Sequence, residues 1–345
     1  MQDLANRADR LLRESLVWDN HGCMPVGRPH DTSFLPELQR YRRAGIDVVT
    51  LNIGFGEMGI ESHIRTLAGM RHWLKSNEDG YVLVETPADI ESARRSGRLA
   101  VCFDIEGANA IADQPSLIQL YFDLGVRWML LAYNRPNLVG GGCQEHDPGL
   151  TPYGREVVRE MERVGMIVCC SHTGHRTARD VFGMASRPVI FSHSNPAGVH
   201  PHPRNVPDEL LDACAATGGV VGINGIGTFL GPDPDAVKAF ARHIDYVVQR
   251  IGPEHVALGT DYVFDVEELN AYVANHPQMF PESLGYERNV RMLAPEQLKG
   301  VIKTLLSWDY GDEAIQGLLG GNLVRVAAGS WRNRNGRVDA VADDG

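Results

Sequence analysis

Leu99-Ala100-Val101-Cys102-Phe103-Asp104-Ile105-Glu106 sets the reading of the whole chain: an unbroken apolar run that closes on two acids. A continuous run of this kind suits a parallel strand buried on both faces. The same form recurs at Val17–His21, Ile46–Ile53, Val126–Asn134, Met166–His172, Pro188–His193, Val220–Gly225 and Val256–Asp261. Helix signals fill the intervals. Thr86-Pro87-Ala88-Asp89 supplies a cap, a first-turn proline and an early acid. Pro207-Asp208-Glu209-Leu210 opens a second helix that stops at Gly218-Gly219, and Glu156–Val164 and Ala236–Arg250 carry apolar residues at helical spacing. Eight strands alternating with helices predict an α/β fold of the (β/α)8 TIM-barrel type rather than an open sheet. No GxGxxG follows the first run and no GxxxxGK occurs.

The length of 345 residues would allow two domains, but barrels of this type run past 250 residues as one unit, and no Pro/Gly-rich linker divides the chain. The expectation is one domain over 1–330 and a polar tail over 331–345. Lys plus Arg number 33 against 44 for Asp plus Glu, a net charge of −11, which argues against nucleic acid or an anionic membrane as partner. Six cysteines are too sparse for a disulfide scaffold, and the charged N-terminus shows no secretory pattern, so a reduced, cytoplasmic protein is expected. The longest uncharged stretch, between Asp212 and Asp233, holds six glycines and reads as a buried strand with turns, not a membrane span.

Position is the informative feature of the polar residues. The first run ends in Asp19-Asn20-His21-Gly22-Cys23, the third in Asp104-Ile105-Glu106, the fourth in Tyr133-Asn134. The fifth, sixth and eighth end in Ser171-His172, Ser192-His193 and Thr260-Asp261. Barrel enzymes build their sites at these C-terminal strand ends. Each residue alone has a plainer explanation: Glu106 as a cap near Pro115, Asp261 as a partner for an arginine, Cys23 as a small buried hydrophobe. Together, three histidines, a glutamate, an aspartate and a cysteine at matching ends point to one pocket. Imidazole and carboxylate ligands suit Zn²⁺ and its neighbours. His30, His63, His72, His146, His243, His255 and His276 read as solvated loop or helix residues, and His200 and His202 as loop structure near the pocket.

The chain resembles the membrane (renal) dipeptidases, peptidase family M19, within the amidohydrolase-type barrels. The motifs that carry the resemblance are Gly149–Val158 through Ser171-His172, Pro188–Asn195, Arg204–Glu209, Gly218–Gly222, Leu258–Asp261 and Gly321–Arg325. The resemblance implies extra C-terminal helices, two zinc ions and a homodimer. It makes His21 and Cys23 ligands of one metal, His172 and His193 of the other, and Glu106 the bridge. Asp261 would move protons during hydrolysis, Arg204 would receive the substrate carboxylate, and Tyr133 and Asn134 would contact substrate. Two positions depart from the family pattern. His-x-Asp is replaced by His21-Gly22-Cys23, and Tyr133 stands where the animal members carry a histidine. A thiolate still binds zinc at about 2.3 Å, but as a softer, monodentate ligand, so two ions are expected and a weakened or lost first metal stays open as the alternative.

A zinc pair lowers the pKa of bound water to roughly 7, and the implied reaction is hydrolysis of a dipeptide amide by the resulting hydroxide. Tyr133 would donate a hydrogen bond to the oxyanion. No GxSxG elbow occurs, and Ser171 and Ser192 precede candidate ligands, which argues against serine catalysis. Two alternatives stay open: cleavage of another small amide, an N-acyl amino acid or a lactone, and a metal-depleted binding protein.

Overall fold

The computed structural model describes residues 2–23, 31–286 and 289–331. Among the described residues lie ten strands: β1 Trp18–Cys23, β2 Val48–Phe55, β3 Tyr81–Leu83, β4 Leu99–Glu106, β5 Val126–Leu130, β6 Ile167–Cys169, β7 Val189–Ile190, β8 Val221–Ile223, β9 Val256–Leu258 and β10 Tyr262–Val263. Eight of them follow the order β7-β6-β5-β4-β2-β1-β9-β8, all parallel, and a bridge between Phe191 and Val221 joins the two ends into a ring. The barrel drawn from the eight apolar runs is therefore the fold. The expectation did not include β3 and β10, which are three and two residues long. β3 pairs with β4 at Leu99–Val101, ahead of the point where β5 joins at Phe103, and β10 pairs with Gly22 and Cys23 of β1.

Close packing inside the ring depends on absent side chains at two points. A Cβ on Gly222 or on Gly259 would lie 2.0 Å from the carbonyl oxygen of Ser192. Any side chain there would push aside the backbone that carries His193. Helix starts follow the sequence signals: Asp89 Oδ2 reaches back to accept from Thr86 N at 2.7 Å and from Thr86 Oγ1 at 3.0 Å, and Thr151 caps the helix Pro152–Val164 through a bond from Gly154 N. The expected C-terminal helices are Leu298–Ser307, Asp312–Gln316 and Asn322–Ser330. One buried core runs from Ala8 to Trp331, and within it Trp18 meets Trp128 and Trp331 at 6.1 and 5.9 Å. No helix among the described residues is long and apolar enough to cross a membrane. The expected tail lies outside the described residues from 332 onward.

Between β10 and the C-terminal helices the chain leaves the βα repeat. The helix Val266–Asn275 and the single turn Glu282–Leu284 place Leu269, Val273, Phe280, Tyr286 and Val290 on the same cavity as Glu106 and His172. This segment roofs the C-terminal mouth of the barrel.

Candidate metal centre

The carboxylate of Glu106 sits at the middle of the site. Period-two alternation puts Asp104 and Glu106 on one face of β4, and the two acids take different work. Asp104 Oδ2 lies 2.5 Å from His21 Nδ1 and accepts from Trp128 Nε1 at 3.2 Å, while its Oδ1 accepts from Asn52 Nδ2 at 3.1 Å. With Nδ1–H of His21 held by a carboxylate, Nε2 presents its lone pair. That nitrogen lies 3.6 Å from Glu106 Oε1, 3.5 Å from Asp261 Oδ1 and 3.4 Å from Cys23 Sγ.

The second half has the same logic. His172 Nδ1 lies 2.7 Å from Asn134 Oδ1, and His193 Nδ1 lies 2.8 Å from Ser192 Oγ. Their Nε2 atoms then face each other at 3.0 Å and face Glu106 Oε1 at 3.2 and 3.0 Å. Burial, reinforced by the positive charges of Arg204 and His21, holds both imidazoles well below the usual histidine range, so both are neutral. Two lone pairs and a carboxylate oxygen at such distances repel one another unless a cation lies among them. Glu106 Oε1 is buried and has no hydrogen-bond partner. Two sets of donors therefore fit a metal, His21–Cys23–Glu106 and Glu106–His172–His193, and they share Glu106. A third grouping, His21–His193–Asp261, overlaps both.

Without a metal, protons take the cation's place. Burial pushes the Glu106 carboxyl up to about 8. Burial works against a charged His21, but the carboxylates of Asp104 and Glu106 outweigh it and lift the imidazole to about 10. Burial, then the nearby Asp261 and Glu106, also raise the Cys23 thiol well above its ordinary value, and its Sγ donates to Asp261 Oδ1 at 3.0 Å.

Asp261 is fixed on its other side by Asn224 Nδ2, 2.8 Å from Oδ2. Tyr133 stacks on His172, ring centroids 4.2 Å apart, and burial keeps its hydroxyl protonated. Arg204 is buried, with Nη1 donating to Ser194 Oγ at 3.3 Å and Nη2 to the His193 carbonyl at 3.1 Å. Its Nε has no partner, and it forms no ion pair among the described residues. A buried guanidinium with only neutral acceptors is poised for an anion.

Every residue singled out at a strand end lies in this one region. Asn134 turns its side-chain oxygen to His172 Nδ1, while its Nδ2 is buried without a hydrogen-bond partner. His63 and His243 are fully buried, not solvated: each spends one ring nitrogen on a backbone carbonyl, Gly59 and Leu230 respectively. His30 lies outside the described residues. Sequence reasoning missed the supporting roles of Asp104, Asn52 and Asn224. Two of these close the two barrel runs left without a polar role, and Asp104 carries a signal, its spacing of two from Glu106. It also missed the backbone. Among the described residues five non-glycine positions have positive φ, and Asn134, His172 and Asp261 are three of them, at +60°, +59° and +57°. Left-handed residues of this kind concentrate at functional sites.

Comparison with known proteins bears on this arrangement directly. Residues 6–335 match the family described as membrane dipeptidase, peptidase family M19. The chain belongs to this family. A dipeptidase of the fungus Clonostachys rogersoniana, verJ, is 34% identical over 247 residues, covering 71% of this chain and 58% of its own. The chain spans about half the length of the curated relatives it matches. Among solved structures, an amidohydrolase from Pseudomonas aeruginosa superposes with a TM-score of 0.82 at 25% identity, over 94% of this chain and 99% of that one. A metallopeptidase from Rhodobacter sphaeroides, bound to a phosphinate mimic of the dipeptide L-Ala-D-Ala, gives 0.73 at 20% identity over 92% and 100%. The latter likeness concerns the fold.

Proposed function

We propose that this chain is a zinc-dependent hydrolase that cleaves the amide bond of dipeptides or dipeptide-like small molecules, with two ions sharing Glu106. The convergence of three imidazole Nε2 atoms on the unpartnered Glu106 Oε1 carries the reading, and family membership supports it. His21 and Cys23 would hold one ion and His172 and His193 the other, with Glu106 available to both. When bound, the zinc pair supplies Lewis acidity and a water of lowered pKa.

The protein's own groups do the rest. Arg204 takes the substrate's C-terminal carboxylate and so places the scissile amide over the strand ends. The protonated Tyr133 hydroxyl donates to the carbonyl oxygen as negative charge builds there. Asp261, held by Asn224 and a left-handed backbone, accepts a proton from the attacking water at Oδ1 and delivers it to the leaving amine. Asp104 and Asn134 act behind the ligands: they fix the tautomers of His21 and His172. The roof segment limits the water that reaches the site.

The test is dipeptide hydrolysis by the purified chain with zinc and after chelation. Cleavage that needs the metal supports the proposal. Hydrolysis of N-acyl amino acids or lactones with dipeptides untouched transfers the same centre to another small substrate.

A further inference from the structure

The cavity above the metal centre measures about 90 Å³ and has two different halves. Its floor is polar: Glu106, His172 and Asp261. Its outer wall is apolar and comes from the segment that interrupts the βα repeat, with Val263, Leu269, Val273, Phe280 and Val290 facing inward. Val263, Leu269 and Val273 form a small buried cluster of their own, separate from the barrel core, and Cys23, Phe280 and Val290 pack against it. Among the described residues no Lys or Arg lines this cavity. A wall of this composition gains when an apolar group is removed from water against it, and has nothing to offer a charged one.

The wall also has a direction relative to Arg204. Arg204 holds the His193 carbonyl just beyond β7, whereas Cys23 and Val263 belong to the paired strands β1 and β10. In ring order β1 stands three places from β7 in a ring of eight, nearly across the mouth. A substrate with its carboxylate on Arg204 and its amide over Glu106 therefore extends its amine-side residue toward the Cys23 side.

We propose that this wall is the recess for the N-terminal side chain, and that it selects dipeptides whose first residue is large and apolar. The inference rests on the dipeptidase reading above. Leu269, Val273 and Phe280 are its specificity-determining residues. Burying a leucine-sized rather than an alanine-sized side chain there raises kcat/KM roughly tenfold to a hundredfold. Charged first residues lose by at least as much, because the apolar wall carries no charged side chain and the floor carboxylates Glu106 and Asp261 are taken up by the metals and the reacting proton.

The experiment measures kcat/KM of the zinc-loaded full chain for Leu-Ala, Phe-Ala, Ala-Ala, Glu-Ala and Lys-Ala. It is repeated with Phe280→Ala and with Leu269→Ala. Each substitution should shrink the Leu-Ala over Ala-Ala ratio severalfold. A ratio between two substrates does not depend on how much of a variant is folded, so partial misfolding does not obscure it. Leu-Ala and Phe-Ala should lead in the unaltered protein. Equal rates for Ala-Ala and Leu-Ala, preference for Glu-Ala or Lys-Ala, or ratios unmoved in both variants would overturn the inference and leave the dipeptidase reading standing. Cleavage of none of the five would remove that reading, and this inference with it.

Discussion

Replacing Arg204 with methionine separates a substrate receptor from a structural arginine. In the structure the guanidinium meets only a hydroxyl at 3.3 Å and a carbonyl at 3.1 Å, its Nε is unpartnered, and its carbon lies 5.2 Å from the Phe229 ring centre. Methionine keeps much of the apolar stem that faces Phe229 and removes the charge. Truncating one partner of a buried charged pair costs about 2–5 kcal/mol, roughly a 30-fold to 4000-fold loss of kcat/KM at 1.4 kcal/mol per decade. The loss should fall on free dipeptides. A carboxyl-amidated analogue such as Leu-Ala-NH₂, already deprived of that charge, should lose far less. The same change relieves the ligand-free protein of a buried cation without an ion-pair partner, so its Tm should hold or rise. The assay is steady-state kinetics on the two substrates together with a thermal melt. Equal losses on both substrates, accompanied by a falling Tm, would mean that Arg204 builds the loop and does not receive substrate.

Three further outcomes can be checked. Asp104→Asn leaves His21 without a carboxylate on Nδ1 and should weaken the His21-side metal roughly tenfold to a hundredfold, read by competition with a chelating dye; unchanged affinity would remove Asp104 from the site. The metal-free protein should release about three protons on loading at pH 7, because Glu106 at about 8, His21 at about 10 and the Cys23 thiol, pushed well above its ordinary value, all hold protons that the metal displaces. Both values lie above the unfolded ones. The metal-free fold is thus favoured at low pH and loses stability through Glu106 from about 4.5 to 8 and through His21 from about 6.5 to 10. Below about 6.5 the buried, neutral His172 and His193 act in the opposite sense, since the unfolded imidazoles take up protons there. Calorimetry in buffers of different ionisation enthalpy and melts from pH 7 to pH 9 therefore measure the two effects, and a Tm that climbs with pH over that range would contradict them. Cys23→Asp should keep or raise dipeptide hydrolysis, whereas Cys23→Ala should lose metal from the His21 side alone; if Cys23→Ala keeps both metals and full rate, the thiol only packs.

Much of this architecture was legible in the sequence because buried parallel strands announce themselves. Each barrel strand is an apolar run, and each polar ending stands where the barrel mouth opens. The ligand candidates could be found by position for the same reason. What stayed hidden depends on three-dimensional pairing. Asn52 and Asn224 are ordinary residues until the fold sets them on Asp104 and Asp261. Asn134 ends a strand in the sequence, but that its oxygen meets the ring of a histidine 38 residues away shows only in the fold. His63 and His243 looked solvated because helix histidines usually are, but each finds a backbone carbonyl and becomes buried. β3 and β10 are too short for periodicity to register. The roof, Val266–Asn275 and its neighbours, carries no motif, and its role appears only when its apolar residues come to lie over Glu106.

The central claim is the proposed metal pair: Glu106 would serve two ions, one held with His21 and Cys23 and the other with His172 and His193. Elemental analysis after zinc loading and dialysis, on the unaltered chain and on His193→Ala and Glu106→Gln, tests it most directly. The account predicts close to two equivalents in the unaltered chain, about one in His193→Ala, and loss from both halves in Glu106→Gln. No bound zinc in a folded, unaltered protein, or a stoichiometry that neither substitution changes, would contradict it.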